Sequence, residues 1–275
     1  MKLAWATDIH LDHLESDSGS LYSEPRFQRF LNSVKEASPN AIVITGDISI
    51  FPLLKSHLET LEKTLKIPIL YVLGNHDFYG GTIQKTREIA QFLNQTTPNI
   101  RWLGGIEHAR LTKNVAIVGH DCWYDALNGD WKTSQIFMSD WITIEDFSLL
   151  QKNVDLIVKK ARQLSQQSSD YLKNCLESVS KNYSHVIIAT HVPPFLEACL
   201  QEGKCIVNDA VPWYTSKLAG QTIFEIAKKY PGVKFTVLSG HTHGRGKIEL
   251  LPNLEAIVGR SQYGRPYCQG FISLS

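Results

Sequence analysis

No run of about 18 consecutive apolar residues occurs anywhere in the 275-residue chain, so no segment reads as a membrane-spanning helix. An excess of charge of one sign is missing as well: 28 basic residues stand against 27 acidic ones, a formal net charge of +1. That balance gives no electrostatic case for a nucleic-acid binder or a protein of anionic membranes. The five cysteines are odd in number and scattered, with no CxxC pair. They read as reduced thiols of a cytoplasmic protein, Cys199 and Cys205 forming the one bridge worth considering. The first ten residues, MKLAWATDIH, lack the apolar core and small-residue cleavage site of a signal peptide. Linkers rich in Gly, Ser or Pro, internal repeats and low-complexity segments are also absent. One domain over 1–275 is therefore expected, with about 121–182 as a helical insert or cap within it.

What the chain does contain is an ordinary globular composition, 43% apolar and 20% charged, punctuated regularly at its front. KLAWAT (2–7), AIVIT (41–45) and IPILYVL (67–73) are short continuous apolar runs, as expected of strands buried on both faces. Helical patterns at 25–38 and 52–66 separate them, each opening with a proline suited to a first helical turn. This alternation is that of an α/β protein. Further strands are expected at 100–103, 107–112, 114–119, 185–190, 234–239, 247–251, 254–258 and 269–274, with turns at 104–105 and 128–129. Residues 144–182 read as one or two amphipathic helices that cover a sheet or form the cap.

Each apolar run of the front half ends in chemically active residues: Asp8-Ile9-His10, Gly46-Asp47, and Gly74-Asn75-His76-Asp77. Two later strands end the same way, in Thr190-His191-Val192-Pro193-Pro194 and Gly240-His241-Thr242-His243. The carboxyl ends of strands form the binding edge of an open α/β sheet, so five such clusters converge on one rim. In SGHTHG (239–244) the two imidazoles, two positions apart, share a face if the segment is extended. One metal, two metals, an acid/base pair or a polar turn all remain open for that pair alone. Each cluster taken singly reads as a turn; together they supply oxygen and nitrogen donors but no sulfur. Seven donors are too many for a single four-coordinate zinc and suit two ions sharing a carboxylate. Mixed imidazole and carboxylate donors favour Mn, Fe or Zn over Mg or Ca. Two such ions attract an anion, and a pair about 3.5–4 Å apart generates a hydroxide and stabilises in-line displacement at phosphorus. One histidine then remains to protonate the departing oxygen.

These motifs, DIH, GD, GNHD, TH and GHTH in that order over residues 8–243, resemble the pattern of the calcineurin-like metallophosphoesterases. The resemblance implies an αββα fold of two mixed β-sheets packed as a sandwich flanked by helices. It implies one metal on Asp8, His10 and His243, another on Asn75, His191 and His241, and Asp47 bridging them. His76 matches the family's catalytic histidine, near the leaving group. The implied reaction is attack of a metal-bridging hydroxide on a phosphomonoester or phosphodiester, with a small phosphorylated substrate as the partner. The phosphoprotein phosphatase branch carries arginines after GD and after GNH; here those stretches read GDISIFP and GNHDFYG, closer to the phosphodiesterase branch. The residue that orients His76 in many relatives is missing after GD, which leaves Asp77 and Asp12 as substitutes.

Around this rim Tyr79, His120, Trp123 and Arg245 are candidates to touch substrate. Aromatics in loops stack on rings, although large aromatics more often fill core. His120-Asp121 follows another strand end and reads first as a turn-fixing pair. Phe195, Trp213-Tyr214 and Tyr124 are further wall candidates, and His57 and His185 read as structural. Arg260, like Arg245, reads either as a holder of a phosphate oxygen or substrate carboxylate or as an ordinary surface charge. Two other functions compete with the phosphoesterase: a non-catalytic protein-binding scaffold, which has no need of seven intact donors, and a nuclease, which wants a basic groove.

Overall fold

The computed structural model describes residues 1–14, 21–199 and 208–275. Its strands form two mixed sheets. The first contains β1 (Lys2–Ala6), β2 (Ala41–Thr45), β3 (Ile69–Val72) and β4 (Ile100–Trp102), all parallel, with β11 (Cys268–Ser273) antiparallel on the β1 edge. The second runs β5 (Ala109–Arg110), β6 (Val115–His120), β7 (His185–Thr190), β8 (Lys234–Ser239), then β10 (Leu254–Val258) and β9 (Gly246–Leu251). Its centre is parallel and both outer pairs are antiparallel.

Strand alternation explains why the apolar runs are continuous. Leu3, Trp5, Val43, Leu70 and Val72 from the first sheet share one buried cluster with Val115, Ile117, Ile187, Ala189 and Leu238 from the second. This is the layer between the sheets. Their sequence neighbours Ala4, Ala6, Ile42, Ile44, Ile69 and Tyr71 belong instead to the cluster containing the helices. Those helices are α1 (Pro25–Glu36), α2 (Phe51–Leu65) and α3 (Ile83–Thr96) after the first strands, and Val154–Val179 and Lys217–Lys229 around the second sheet. The result is a helix–sheet–sheet–helix sandwich.

Proline stands in the first turn of α1 and α2, and the Glu24 carboxylate caps α1 by accepting from Arg26 N–H. Helix α3 lies outside the helical segments read above, yet its signal is present: Thr82 accepts from Lys85 N–H as a cap, and Ile83, Thr86, Ala90 and Leu93 are its buried stripe. The same holds for Lys217–Lys229, which buries Ala219, Gly220, Ile223, Ile226 and Ala227. Residues 144–182 resolve into one 26-residue helix, Val154–Val179, preceded by short helical turns at Asp140–Thr143 and Glu145–Ser148. The long helix packs on the second sheet, whereas the stretch before it flanks the site described below. The Cys199–Cys205 pairing involves a residue outside the described ones. No helix among the described residues is long and apolar enough to cross a membrane.

Candidate metal centre

The five clusters do meet, but at the rim of two sheets rather than one: β1, β2 and β3 deliver Asp8, His10, Asp47 and Asn75, while β7 and β8 deliver His191, His241 and His243. Backbone hydrogen bonds join the loops within each sheet, Asp8 N–H to Gly46 carbonyl, His10 N–H to Asp47 carbonyl and Gly240 N–H to His191 carbonyl, all at 3.0 Å. Across the sheets, His241 N–H donates to Asp8 Oδ1 at 3.0 Å. Asp8, His10, Asp47, His241 and His243 all have φ between 40° and 67°. Left-handed backbone at non-glycine residues costs roughly 1–2 kcal/mol each, and such strain concentrates at functional sites. It also revises the shared-face argument for SGHTHG. Strand β8 stops at Ser239, so the two imidazoles leave a left-handed turn and diverge.

The ligand atoms of Asp8, His10, Asp47 and His243 all lie within 4.8 Å of one another. His10 Nε2 is 3.3 Å from His243 Nε2 and 3.7 Å from Asp47 Oδ2, and His243 Nε2 is 3.5 Å from Asp8 Oδ1. His241 turns the other way. Its Nδ1 is 3.0 Å from Asn75 Oδ1, which is also 3.0 Å from His191 Nε2, and His191 Nε2 is 3.3 Å from Asp47 Oδ1. Asp47 therefore stands between two groups, one carboxylate oxygen toward each.

Proton bookkeeping tests whether a cation fits. The carbonyl of Thr45 can only accept, so His191 Nδ1 donates to it at 2.9 Å; likewise His241 Nε2 donates to Trp213 carbonyl at 3.1 Å. Burial, reinforced by the neighbouring His191, pushes His241 down to about 3, and burial lowers His191 as well against the opposing pull of Asp8, so both rings are neutral at pH 7. Their remaining nitrogens carry lone pairs. The Asn75 amide NH₂ is committed to Asp140 Oδ1 at 2.8 Å and Tyr79 Oη at 3.2 Å, which turns Oδ1 inward. Three acceptors thus face one another without a proton among them. Burial and the Asp8 charge push Asp47 well above the usual carboxylate range. Such a buried donor set calls for cations, and the residues fit them.

His76 N–H donates to Asp47 Oδ1 at 2.9 Å; its ring stacks on Tyr79 at 4.2 Å and lies 4.7 Å from His10. Its Nε2 faces the Tyr263 hydroxyl at 3.4 Å. Asp77 does not touch the ring. Its carboxylate accepts from Ile48, Ser49 and Gly74 N–H at 2.8–2.9 Å, tying the GD loop to the GNHD loop. Asp12 pairs with His13 at 3.6 Å.

A cavity of about 470 Å³ opens over this centre, lined by Asp47, Asn75, His76, His241 and His243 together with Tyr79, Gln135 to Ser139, Tyr214, Thr242 and Tyr263. Of the four substrate candidates only Tyr79 lines it. His120 and Trp123 are buried away from it: His120 Nδ1 accepts from Cys122 N–H, and Trp123 packs on Phe78 and Phe147. Their strand end is pinned structurally, because Asp121 accepts from Leu73 N–H and Trp102 Nε1–H and pairs with Arg87. Arg245 is exposed outside the cavity. Asp140, Tyr263 and the 135–139 wall were not singled out from the sequence. They lie far along the chain from the motifs, in stretches without a signature.

The sequence matches the family model of the calcineurin-like phosphoesterases over residues 1–245. The chain belongs to that family, whose members are metal-dependent hydrolases of phosphoric esters, typically dinuclear. Among solved structures it is similar to phosphopantetheinyl hydrolase from Mycobacterium tuberculosis, at 12% identity and a TM-score of 0.64, covering 97% of this chain and 95% of that one. It is also similar to a dimetal phosphatase from Danio rerio, at 16% identity and a TM-score of 0.56, covering 94% and 86%. At these identities the likeness is one of fold. No curated protein sequence matches the chain.

Proposed function

We propose that the chain is a dinuclear phosphoesterase in which Asp8, His10 and His243 hold one ion, Asn75, His191 and His241 hold the other, and Asp47 bridges them. The carrying observation is the position of Asp47, with Oδ2 3.7 Å from His10 Nε2 and Oδ1 3.3 Å from His191 Nε2. The mixed nitrogen and oxygen donors favour Mn, Fe or Zn. When bound, the ions activate water and offset the charge that builds at phosphorus.

The protein's own groups do the rest. Thr45 and Trp213 carbonyls fix the ring orientation of His191 and His241, and Asp140 fixes Asn75. His76, held by its Tyr79 stack, serves the leaving oxygen. Burial and the neighbouring histidines push it down to about 3, so at pH 7 it acts from the neutral ring, as a hydrogen-bond donor to the developing charge. The motif stretches GDISIFP and GNHDFYG lack the arginines of phosphoprotein phosphatases, which supports small phosphodiesters or phosphorylated metabolites as substrates. A cytoplasmic setting agrees with the odd, scattered cysteines.

Hydrolysis of bis(p-nitrophenyl) phosphate and p-nitrophenyl phosphate with added Mn²⁺ tests this reading. Asp47→Asn is expected to abolish turnover, and His76→Ala to slow it by about 10²–10⁴-fold while two ions stay bound. Failure of the unaltered protein to cleave either ester with Mn, Fe or Zn contradicts it.

A further inference from the structure

Beyond the donors, the cavity wall carries an aromatic and aliphatic stretch beside the polar Gln135, Ser139 and Thr242. Tyr79, Ile136, Phe137, Met138, Tyr214 and Tyr263 line it, and no lysine or arginine does among the described residues. Two of these aromatics are left in solvent, Phe137 at 51% and Tyr263 at 48% exposure. Neither is needed to fill core.

Phe137 is nonetheless held firmly. Trp141 meets its ring edge-on at 5.3 Å, and the Lys152 ammonium lies 5.5 Å from the ring centre. The loop leading to it is fastened at three points. Ser134 Oγ donates to Asp209 carbonyl at 2.7 Å and accepts from Trp213 Nε1–H at 2.8 Å, and Gln135 N–H donates to the Asp209 carboxylate at 3.0 Å. Tyr263 arrives from a different part of the chain, its ring 4.8 Å from His243 and 4.5 Å from His10. Ile136 and Phe137 also line a second hollow of about 570 Å³, whose other walls include Trp131 and Trp141 beside the charged Lys132 and Asp155.

We infer that the 135–139 wall and Tyr263 form the leaving-group site, and that the alcohol released from phosphate is uncharged and largely apolar or aromatic. The inference rests on the phosphoesterase reading and narrows its substrate class. The physical ground is a mismatch of demands. An apolar or ring-bearing group gains from burial against preorganised aromatic side chains. A second phosphate or carboxylate placed against Ile136, Phe137 and Met138 meets apolar side chains and, among the described residues lining the cavity, no lysine or arginine, so it loses hydration with little compensation.

The test is calorimetric titration of the Mn²⁺-loaded protein with methylphosphonate, benzylphosphonate and 3-phosphonopropanoate, which share the metal-binding head and differ only in the tail. Benzylphosphonate is expected to bind about tenfold or more tightly than methylphosphonate, by the usual worth of a filled apolar pocket. Phosphonopropanoate is expected to bind no more tightly than the methyl compound. Phe137→Ala brings the benzyl-to-methyl ratio to within about twofold of unity on the same scale, whereas Leu149→Ala, an exposed apolar residue that does not line the cavity, keeps it. Equal binding of the benzyl and methyl compounds, or tighter binding of the carboxylate, overturns the inference while leaving the phosphoesterase reading intact. If none of the three binds the metal-loaded protein, the phosphoesterase reading fails and takes the inference with it.

Discussion

Asn75 shows how much one proposed ligand owes to its neighbours. An amide can present either end, and only the commitment of its NH₂ to Asp140 and Tyr79 points the oxygen at His191 and His241. Asp140 is fully buried and also accepts from the Tyr79 hydroxyl at 2.7 Å, so it fixes both the proposed ligand Asn75 and the ring that stacks on His76. Asp140→Ala is therefore expected to lower ion affinity at the Asn75 group, or activity, by about 10–100-fold. Metal titration with a chelating competitor reads it out; an unchanged affinity and rate would show that Asn75 is held by other means. At this scale the donors and His76 were legible in the sequence because each sits in a short motif at a strand end. Asp140 and Tyr263 were not, because they reach Asn75 and His76 across 65 and 187 positions of chain. His120 and Trp123 share the strand-end position of the donors but not their direction. Nothing in sequence order distinguishes a side chain turned onto the rim from one folded into the core beneath it.

Among the elements, the β8 turn carries the tightest constraint. A Cβ on Gly240 would run into the Asp8 carboxylate and the Thr7 hydroxyl, leaving no room for any other residue between SGHTHG and the DIH loop. Overpacking of this kind typically costs about 1–3 kcal/mol, and here the atoms that must yield include a proposed ligand. Gly240→Ala should thus lower the urea midpoint and deplete the ion held by Asp8, His10 and His243. Full metal content with only reduced stability would separate packing from ligation. The turn also accounts for the separation of the two imidazoles. Left-handed φ at His241 and His243, 67° and 56°, sends one ring to Asn75 and the other to Asp8 and His10. The helices at 25–36 and 51–65 were readable from proline-led amphipathic patterns, and α3 carried its own cap and stripe. What no local pattern announced was the irregular stretch before Val154, because its order comes from Asp209, Trp213 and Gly81 elsewhere.

For the whole molecule, continuous apolar strands identified an α/β core but did not by themselves distinguish one covered sheet from two. A strand buried by helices on both sides and one buried by a helix and a second sheet need the same residues. The resemblance of the motifs supplied the sandwich, and the division of alternate residues between two clusters shows how the chain realises it. The second sheet depends in part on charge. Glu255 on β10 accepts from Lys247 at 2.9 Å, Lys234 at 3.1 Å and Thr236 at 2.9 Å, joining β9 and β8 to its own strand. Partial burial raises its carboxyl, but these partners outweigh it and bring it from 4.5 to about 2. A depressed carboxyl stabilises the fold above its unfolded value and loses that contribution as pH falls through the folded one. Unfolding free energy should accordingly drop between pH 4.5 and about 2, and Glu255→Gln should flatten that part of the profile. Parallel profiles for the two proteins would assign the acid sensitivity to other groups.

On the proposed assignment, the two histidines of the GHTH turn serve different ions joined by Asp47. Anomalous diffraction from crystals of the Mn²⁺-loaded protein, recorded at the metal edge, addresses it directly. Two peaks about 3.5–4 Å apart are expected, His243 on one with Asp8 and His10, His241 on the other with Asn75 and His191, and Asp47 on both. A single peak ligated by both imidazoles would contradict the assignment.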